Sequence, residues 1–455
     1  MMDSLEFWGT PLLFLSLSFS LLLLCLPSRH VPPGRDQKTR VVVVVLGDIG
    51  RSPRMQYHAL SIARKGGLVD LVGYDESAPR PELMDNPDIK MCPLPPPPGF
   101  LRTDTPIQFI LFAPLKALFQ LTSMVYLLCY IIPPSAGYIL LQNPPAIPTL
   151  AVAKLVGALR GMKIVIDWHN FGWSVLQLKL KEHPIVYFCK IYEMFVGKGA
   201  YANFTVTDVM GLTLKNDWGV KTPIRTLYDR PPTHFFPLSP EERGEFLESH
   251  PATAHHASAI SSGSTRLLIS STSWTPDEDF SHLLGALLIY DRWASRANFL
   301  KHGSAPSILA VITGKGQLRD GYMARVEMLE FQHVTIESVW LESEDYPKMV
   351  GCADLGVSLH TSTSGVDLPM KVVDLFGVGV PVAAFDYLAI SELVKHEVNG
   401  IVFRTGEELG EALVRQNLFD PASPRLMKLK EGALGETENR WDENWDKVAA
   451  PVFGL

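Results

Sequence analysis

In residues 361–382 (TSTSGVDLPMKVVDLFGVGVPV), two carboxylates and an ammonium fall at Asp367, Lys371 and Asp374. The spacing i, i+4, i+7 puts them on one face of a helix, near its start. Ser362, Ser364 and Gly365 come just before. A Gly/Ser loop entering a helix N-terminus offers unpaired N–H groups and a partial positive charge to a phosphate, and a carboxylate further along can accept from a ribose diol. The competing reading is an ion-pair stripe on a solvated helix face. The immediate return through GVGVPV into a strand favours a ligand role, because it sets this helix at the sheet edge where open α/β sheets bind ligands.

Such residues need sheets to hold them, and the chain supplies two. VVVVVLG (41–47) is a continuous β-branched run of the kind buried on both faces of a parallel sheet, and it leads through GDIGRSPR into a helical stretch at 55–64. Further strands are expected near 68–74, 138–142, 163–168 and 204–207, with helical patterns between them. Residues 41–228 thus read as one doubly wound half. The alternation stops at LYDRPP (227–232); 229–265, rich in Ser, Ala, His, Glu and Pro without a hydrophobic period, reads as a linker and flexible insertion. It restarts with RLLISSTSW and runs through SILAVITGKG, HVTIESVW, DLGVSLHT and PVAAF, with helices near 280–292, 346–352 and 369–377. A second parallel sheet in 266–455, closed by a C-terminal helix, follows. The fold class expected is α/β with two doubly wound Rossmann-like domains facing a cleft, both sets of strand carboxyl ends lying along it. Thr275 to Glu278 reads as a helix N-cap with Pro at N1.

The 455 residues carry 41 Lys+Arg against 48 Asp+Glu, a net charge of -7 with no polybasic tract, which argues against a nucleic-acid partner. With 47% hydrophobic and 20% charged residues the chain can build full-sized cores. Five scattered cysteines without Cys-x-x-Cys speak against a disulfide framework or zinc knuckle. Residues 7–26 are uncharged and long enough to span a bilayer. Asp3 and Glu6 precede them, while Arg29, Arg35, Lys38 and Arg40 follow. The expectation is an uncleaved N-terminal transmembrane helix within 1–40, with the short N-terminus luminal and the body cytosolic, where the sequon Asn203-Phe204-Thr205 stays unglycosylated. A second apolar stretch, 107–132, carries Lys116, Gln120 and Ser123 at i, i+4, i+7. It reads as an amphipathic helix in the membrane interface or a groove wall, with a buried core helix as the alternative.

The runs VVVVVLGDIGRSPRMQYHALSIA, DWHNFGWS, LYDRPP, SSTSWTPDEDF, ITGKG and TSTSGVDLPMKVVDLFGVGVPV together resemble the dolichol-pathway β-1,4-mannosyltransferases, from about residue 41 to the closing RWDENW at 440–445. The resemblance implies a GT-B glycosyltransferase of the endoplasmic reticulum membrane. Its donor would be GDP-mannose and its acceptor chitobiose on dolichyl pyrophosphate, at the cytosolic face, in N-glycan precursor assembly. Other glycosyltransferases of the pathway are possible partners, and no cofactor is implied. No metal site is expected either, since the acids of Asp277-Glu278-Asp279 are explained by a helix-start dipole.

By this resemblance the second domain holds GDP, with Asp374 on the ribose, Asp367 near the sugar, and Lys371 and Lys315 on the pyrophosphate, where a departing GDP accumulates charge. Gly314, Ser364 and Gly365 would shape that site, with Ser273 and Trp274 lining it. GDP-mannose is α-linked and the product β-linked, so the reaction inverts and needs a base from the first domain. Asp48, after the first strand, and Asp167 with His169, ending another, are the candidates. Gly47, Gly50, Arg51, Arg54 and Asn170 are expected on the acceptor, the arginines at its pyrophosphate. Another lipid-linked glycosyltransferase with a UDP-sugar donor, or an inactive membrane-anchored scaffold, are the alternatives.

Overall fold

The computed structural model describes residues 16, 26–32, 34, 38–101, 105–299, 305–414, 418–419 and 423–455. The expected N-terminal anchor lies almost wholly outside them. The chain forms two compact units: one comprises residues 1–204, 218–225 and 449–455, the other 205–217 and 226–448. The last seven residues therefore belong with the first unit rather than closing the second domain, as the sequence had suggested.

The first unit is built on a sheet of seven strands in the order β3-β2-β1-β4-β5-β6-β7. The strands are β1 (Arg40–Asp48), β2 (Leu68–Tyr74), β3 (Ile89–Pro93), β4 (Ala136–Asn143), β5 (Lys163–Trp168), β6 (Ala202–Thr205) and β7 (Ile224–Thr226). Val41 to Val45 are at most 1% exposed, because β1 is central and covered on both faces. Its pairings with β2 and β4 are parallel, Val43 standing opposite Leu71 on one side and Leu140 on the other. Helix α1 (Pro53–Arg64) returns from β1 to β2, buries Met55, His58, Ala59 and Ile62 on one side, and starts with Pro at a first-turn position where no N–H is needed. The order reverses between β1 and β4, the switch point where ligands of open sheets bind.

Helix α2 (Pro106–Tyr126), continued by a π-helical turn Leu127–Ile131, connects β3 to β4. Its polar stripe does not face outward. Gln120 donates to the Tyr74 hydroxyl at 3.0 Å, while Ile107, Leu111, Leu115 and Leu118 are more than half exposed. An ordinary core helix would bury those apolar residues. Among the described residues Leu111–Ile131 is the one helix long and apolar enough to cross a membrane by length and composition. The carbonyls freed at its end are met by buried Arg160, which donates to Leu128 O and, at 2.8 Å, to Pro133 O.

The second unit carries six strands in the order β10-β9-β8-β11-β12-β13. They are β8 (Thr265–Ser271), β9 (Ser307–Thr313), β10 (Val334–Val339), β11 (Leu355–Ser358), β12 (Val382–Phe385) and β13 (Gly400–Phe403), with parallel pairings throughout. The switch point lies between β8 and β11. The stretch read as a flexible insertion is instead helical, in Pro240–Ser249 and Ala257–Ser261. Phe246, Leu247, Ala257 and Ile260 join the core cluster under this sheet, so apolar burial fixes the segment. Its start was legible: Ser239 and Glu242 form a capping box around Pro240, with bonds of 3.2 and 2.8 Å.

Candidate active site

In the first unit, the loop after β1 is shaped by Asp48. Its Oδ1 accepts from the N–H groups of Gly50 (3.2 Å), Glu76 (3.3 Å) and Ser77 (3.1 Å), and Arg51 Nε stands 3.4 Å from Oδ2. Burial pushes this carboxyl up, but the bonds from Ser77, Glu76 and Gly50 outweigh it and hold it below the usual carboxylate range. Gly50 has to be glycine here, since a Cβ would sit 2.4 Å from Ser77 O. Gly47 lies half-buried in the same loop, and the Arg51 side chain is 82% exposed.

Asp167, at the end of β5, is wholly buried. Arg54 reaches it from α1 in a bidentate pair, Nε to Oδ2 and Nη2 to Oδ1, both at 2.8 Å. The structure therefore turns Arg54 inward, away from the phosphate role its Gly-rich surroundings suggested. His58 Nε2 lies 3.2 Å and His169 Nε2 2.6 Å from the same Oδ2. Burial pushes the Asp167 carboxyl up, yet Arg54, His169 and His58 around it hold it well below the usual range. Asp167 is thus a buried anion that cannot touch an acceptor directly, while the His169 side chain is 23% exposed. Asn170 spends its side chain locally, accepting from Phe171 N at 2.7 Å and Ser174 Oγ at 3.3 Å. Beneath this loop Glu193, unremarked in the sequence, accepts from Gly172 N (2.9 Å), Trp173 N (3.1 Å) and Asn143 Nδ2 (2.6 Å).

In the second unit the residues converge on the loops following β8, β9 and β11. The helix expected from Thr275 starts later, at Ser281, whose N–H donates to Asp279 at 2.9 Å. Glu278 is freed to turn inward: it is 4% exposed, accepts from Thr272 Oγ1 at 2.8 Å and from Ser273 N, and pairs with Lys371. Lys371 also lies 3.4 Å from Ser273 Oγ. Ser273 is exposed, but Trp274 is 1% exposed and packs in the core with Phe280 and Leu283, so its ring supports the loop instead of lining a ligand site. Its Nε1 donates to Gly314 O at 3.2 Å. Gly314, at φ 132°, would put a Cβ 1.7 Å from Thr272 O. Next to it Lys315 is exposed, its Nζ 3.9 Å from the Trp340 ring centroid.

Helix α3 (Met370–Gly377) begins after Pro369, so Asp367 precedes it and only Lys371 and Asp374 share its face. Asp367 accepts from Ser362 Oγ and stands 3.4 Å from His360 Nε2, while His360 Nδ1 is 3.9 Å from Asp277. Gly365, at φ 75°, donates to Ser362 Oγ at 2.7 Å, and the N–H of Val366 lies 3.4 Å from Ser364 Oγ. Asp374 accepts from Tyr346 Oη at 3.4 Å. Burial pushes its carboxyl up to about 7, with Asp229 adding and with Tyr346 and Lys371 pulling the other way. Glu278 was read only as a helix-start acid, and His360 and Trp340 were missed in the sequence, although these two stand just past the end of a strand, where a doubly wound sheet puts ligand groups.

The two parallel sheets are those of a GT-B glycosyltransferase. The structure of Anabaena HepE in complex with UDP and glucose superposes with a TM-score of 0.62 at 14% identity, covering 92% of this chain and 100% of that one. No protein-family model matches the chain. The chitobiosyldiphosphodolichol beta-mannosyltransferase of Yarrowia lipolytica is 42% identical over 426 residues, 92% of this chain and 87% of its own length. That of Mus musculus is 41% identical over 472 residues, 97% of this chain and 94% of its own. The chain belongs to the chitobiosyldiphosphodolichol beta-mannosyltransferase family.

Proposed function

We propose that the chain transfers mannose from GDP-mannose, with inversion, in β-1,4 linkage to N,N'-diacetylchitobiosyl-diphosphodolichol at the cytosolic face of the endoplasmic reticulum. The names of its relatives support the mannosyl group and the lipid-linked acceptor. The observation that carries the chemistry is the 2.6 Å contact of His169 with Asp167. A carboxylate accepts, so His169 carries its proton on Nε2 and leaves Nδ1 to take the proton of the acceptor hydroxyl. As that proton leaves, the acceptor oxygen bonds to C1 of mannose and the C1–O bond to phosphate breaks, releasing GDP. Asp48 supports a different role, as the anion that shapes the acceptor loop beside Gly47, Gly50 and exposed Arg51, with Asn170 meeting the acceptor from the loop after β5. Three engaged N–H groups leave it a poor base.

In the second unit Lys371 and Lys315 supply charge to the diphosphate, with Ser273 and the Ser364–Gly365 loop offering donors. Asp374 with Tyr346 takes the ribose diol, Asp367 with His360 faces the sugar, and the exposed Trp340 ring is a platform for the base. The test is transfer of labelled mannose from GDP-mannose to a synthetic chitobiosyl pyrophosphoryl lipid by the membrane-bound protein, then β-mannosidase digestion. Released label supports donor, acceptor and inversion together. Transfer from a UDP-sugar instead, or none at all, rejects the donor assignment.

A further inference from the structure

The run GDIGRSPRMQYH does more than form a loop. Arg54 and His58 stand at i and i+4 on the buried face of α1, so both reach Asp167 from the same side. We infer that Arg54 and His58 are positioning residues for the transfer, acting through Asp167 to fix the ring orientation and the charge balance of His169. This rests on the assignment of His169 as base.

A carboxylate has about four acceptor sites. Arg54 takes one on each oxygen of Asp167, and His58 and His169 share Oδ2. For a purely structural ion pair, Arg54 alone would suffice, and an apolar residue in place of His58 would be cheaper to bury. His58 is wholly buried and stacks on Phe204 with centroids 5.9 Å apart. Burial holds its imidazole below the usual range against the pull of Asp167. It therefore stays neutral and contributes one directed N–H without adding charge.

A bare Asp–His pair orients the imidazole but also draws a proton onto it, which would remove the base before the acceptor arrives. Arg54 cancels the Asp167 charge, so the orientation is kept while that draw is weakened. The ionised and titratable groups facing His169 are then Asp167 of β5 with Arg54 and His58 of α1. Glu193, on the helix Pro184–Val196 packed below, spends its carboxylate on the loop N–H groups and Asn143.

The test uses the full-length membrane-bound protein and the pH profile of kcat in Arg54→Gln, Arg54→Lys, His58→Leu and His58→Gln. Losing a donor or a cation leaves more of the Asp167 charge facing His169. The acidic limb should move to higher pH by about one unit in Arg54→Gln and about half a unit in His58→Leu. Arg54→Lys and His58→Gln should stay within a few tenths of wild type. Because Arg54→Gln strands a buried carboxylate and can fail to fold, the pH dependence of His169 carbethoxylation by diethyl pyrocarbonate, read by mass spectrometry, gives the same comparison in His58→Leu without activity. A limb that stays in place while kcat falls overturns the inference and leaves the base assignment intact. Full turnover in His169→Gln overturns the base assignment itself.

Discussion

In the first unit the charged centre is sealed. Asp167 is wholly buried, and Arg54 and His58 with it, so that only the His169 ring meets solvent. In the second unit the charges stay at the surface of the loops: Lys371 is 27% exposed above a buried Glu278, and Lys315 lies open on Trp340. A group that must move a proton gains from a dry, fixed surround, because orientation and charge are then set by the protein alone. Groups that grip a diphosphate have to stay wet until the ligand displaces their water, and a pair such as Lys371 with Glu278 can hold a flexible ammonium in place until then.

The largest effect should separate the two units by reaction step. His169→Gln should lower kcat by about a hundredfold to ten thousandfold, the range for removing a general base, with donor KM near wild type. Steady-state kinetics against both substrates reads it, and a variant with normal kcat moves the base elsewhere.

Removing the anions sharpens the contrast through stability. Asp167→Ala removes the carboxylate that Arg54 grips through two bonds of 2.8 Å and should cost about 3 to 5 kcal/mol, seen as a large fall in Tm. Asp367→Ala, whose partners Ser362 and His360 lie in partly exposed loops, should cost about 1 kcal/mol or less. Equal costs would mean that the second centre is as sealed as the first.

Lys371→Ala should raise donor KM by about tenfold to a hundredfold, the worth of one charged hydrogen bond, and leave kcat less affected. Glu278→Gln should follow in the same direction and more weakly, since it loosens the lysine without deleting it. Titration with GDP reads both. Unchanged GDP affinity in Lys371→Ala would move the diphosphate away from this helix.

The strands were legible in the sequence wherever both faces are apolar: 68–74 and 163–168 coincide with β2 and β5 because β-branched residues crowd there. The short edge strands β3 and β7 were not, since five or three residues carry little period. The helices at 240–261 escaped because their apolar residues are few, though the capping box marked the start. Arg54 was misread for a different reason. It closely follows Gly50 and Arg51, which suggest phosphate, but helical spacing to His58 decided which way it points, and its partner Asp167 is 113 residues away. Glu278 turned inward because Thr275 caps no helix and the helix expected near 280 starts at Ser281. Trp274 likewise gave up a ligand role to core packing and a bond with Gly314.

The smallest effect tests a half-buried acid of the second unit. Asp374 is an acid whose carboxyl is raised to about 7, against an ordinary value of 3.8. Between those two values the folded state holds a proton that the unfolded state has released, so stability falls as pH rises through that window and levels off above it. Below 3.8 both states are protonated and the group is silent. Asp374→Asn removes this proton linkage while keeping the shape and an acceptor for Tyr346. Thermal unfolding at pH 5 and pH 8 should show the wild type losing more Tm across that interval than the variant, by about a few degrees. If the two fall in parallel, Asp374 is ionised in the folded protein and holds no proton for the unfolded state to release.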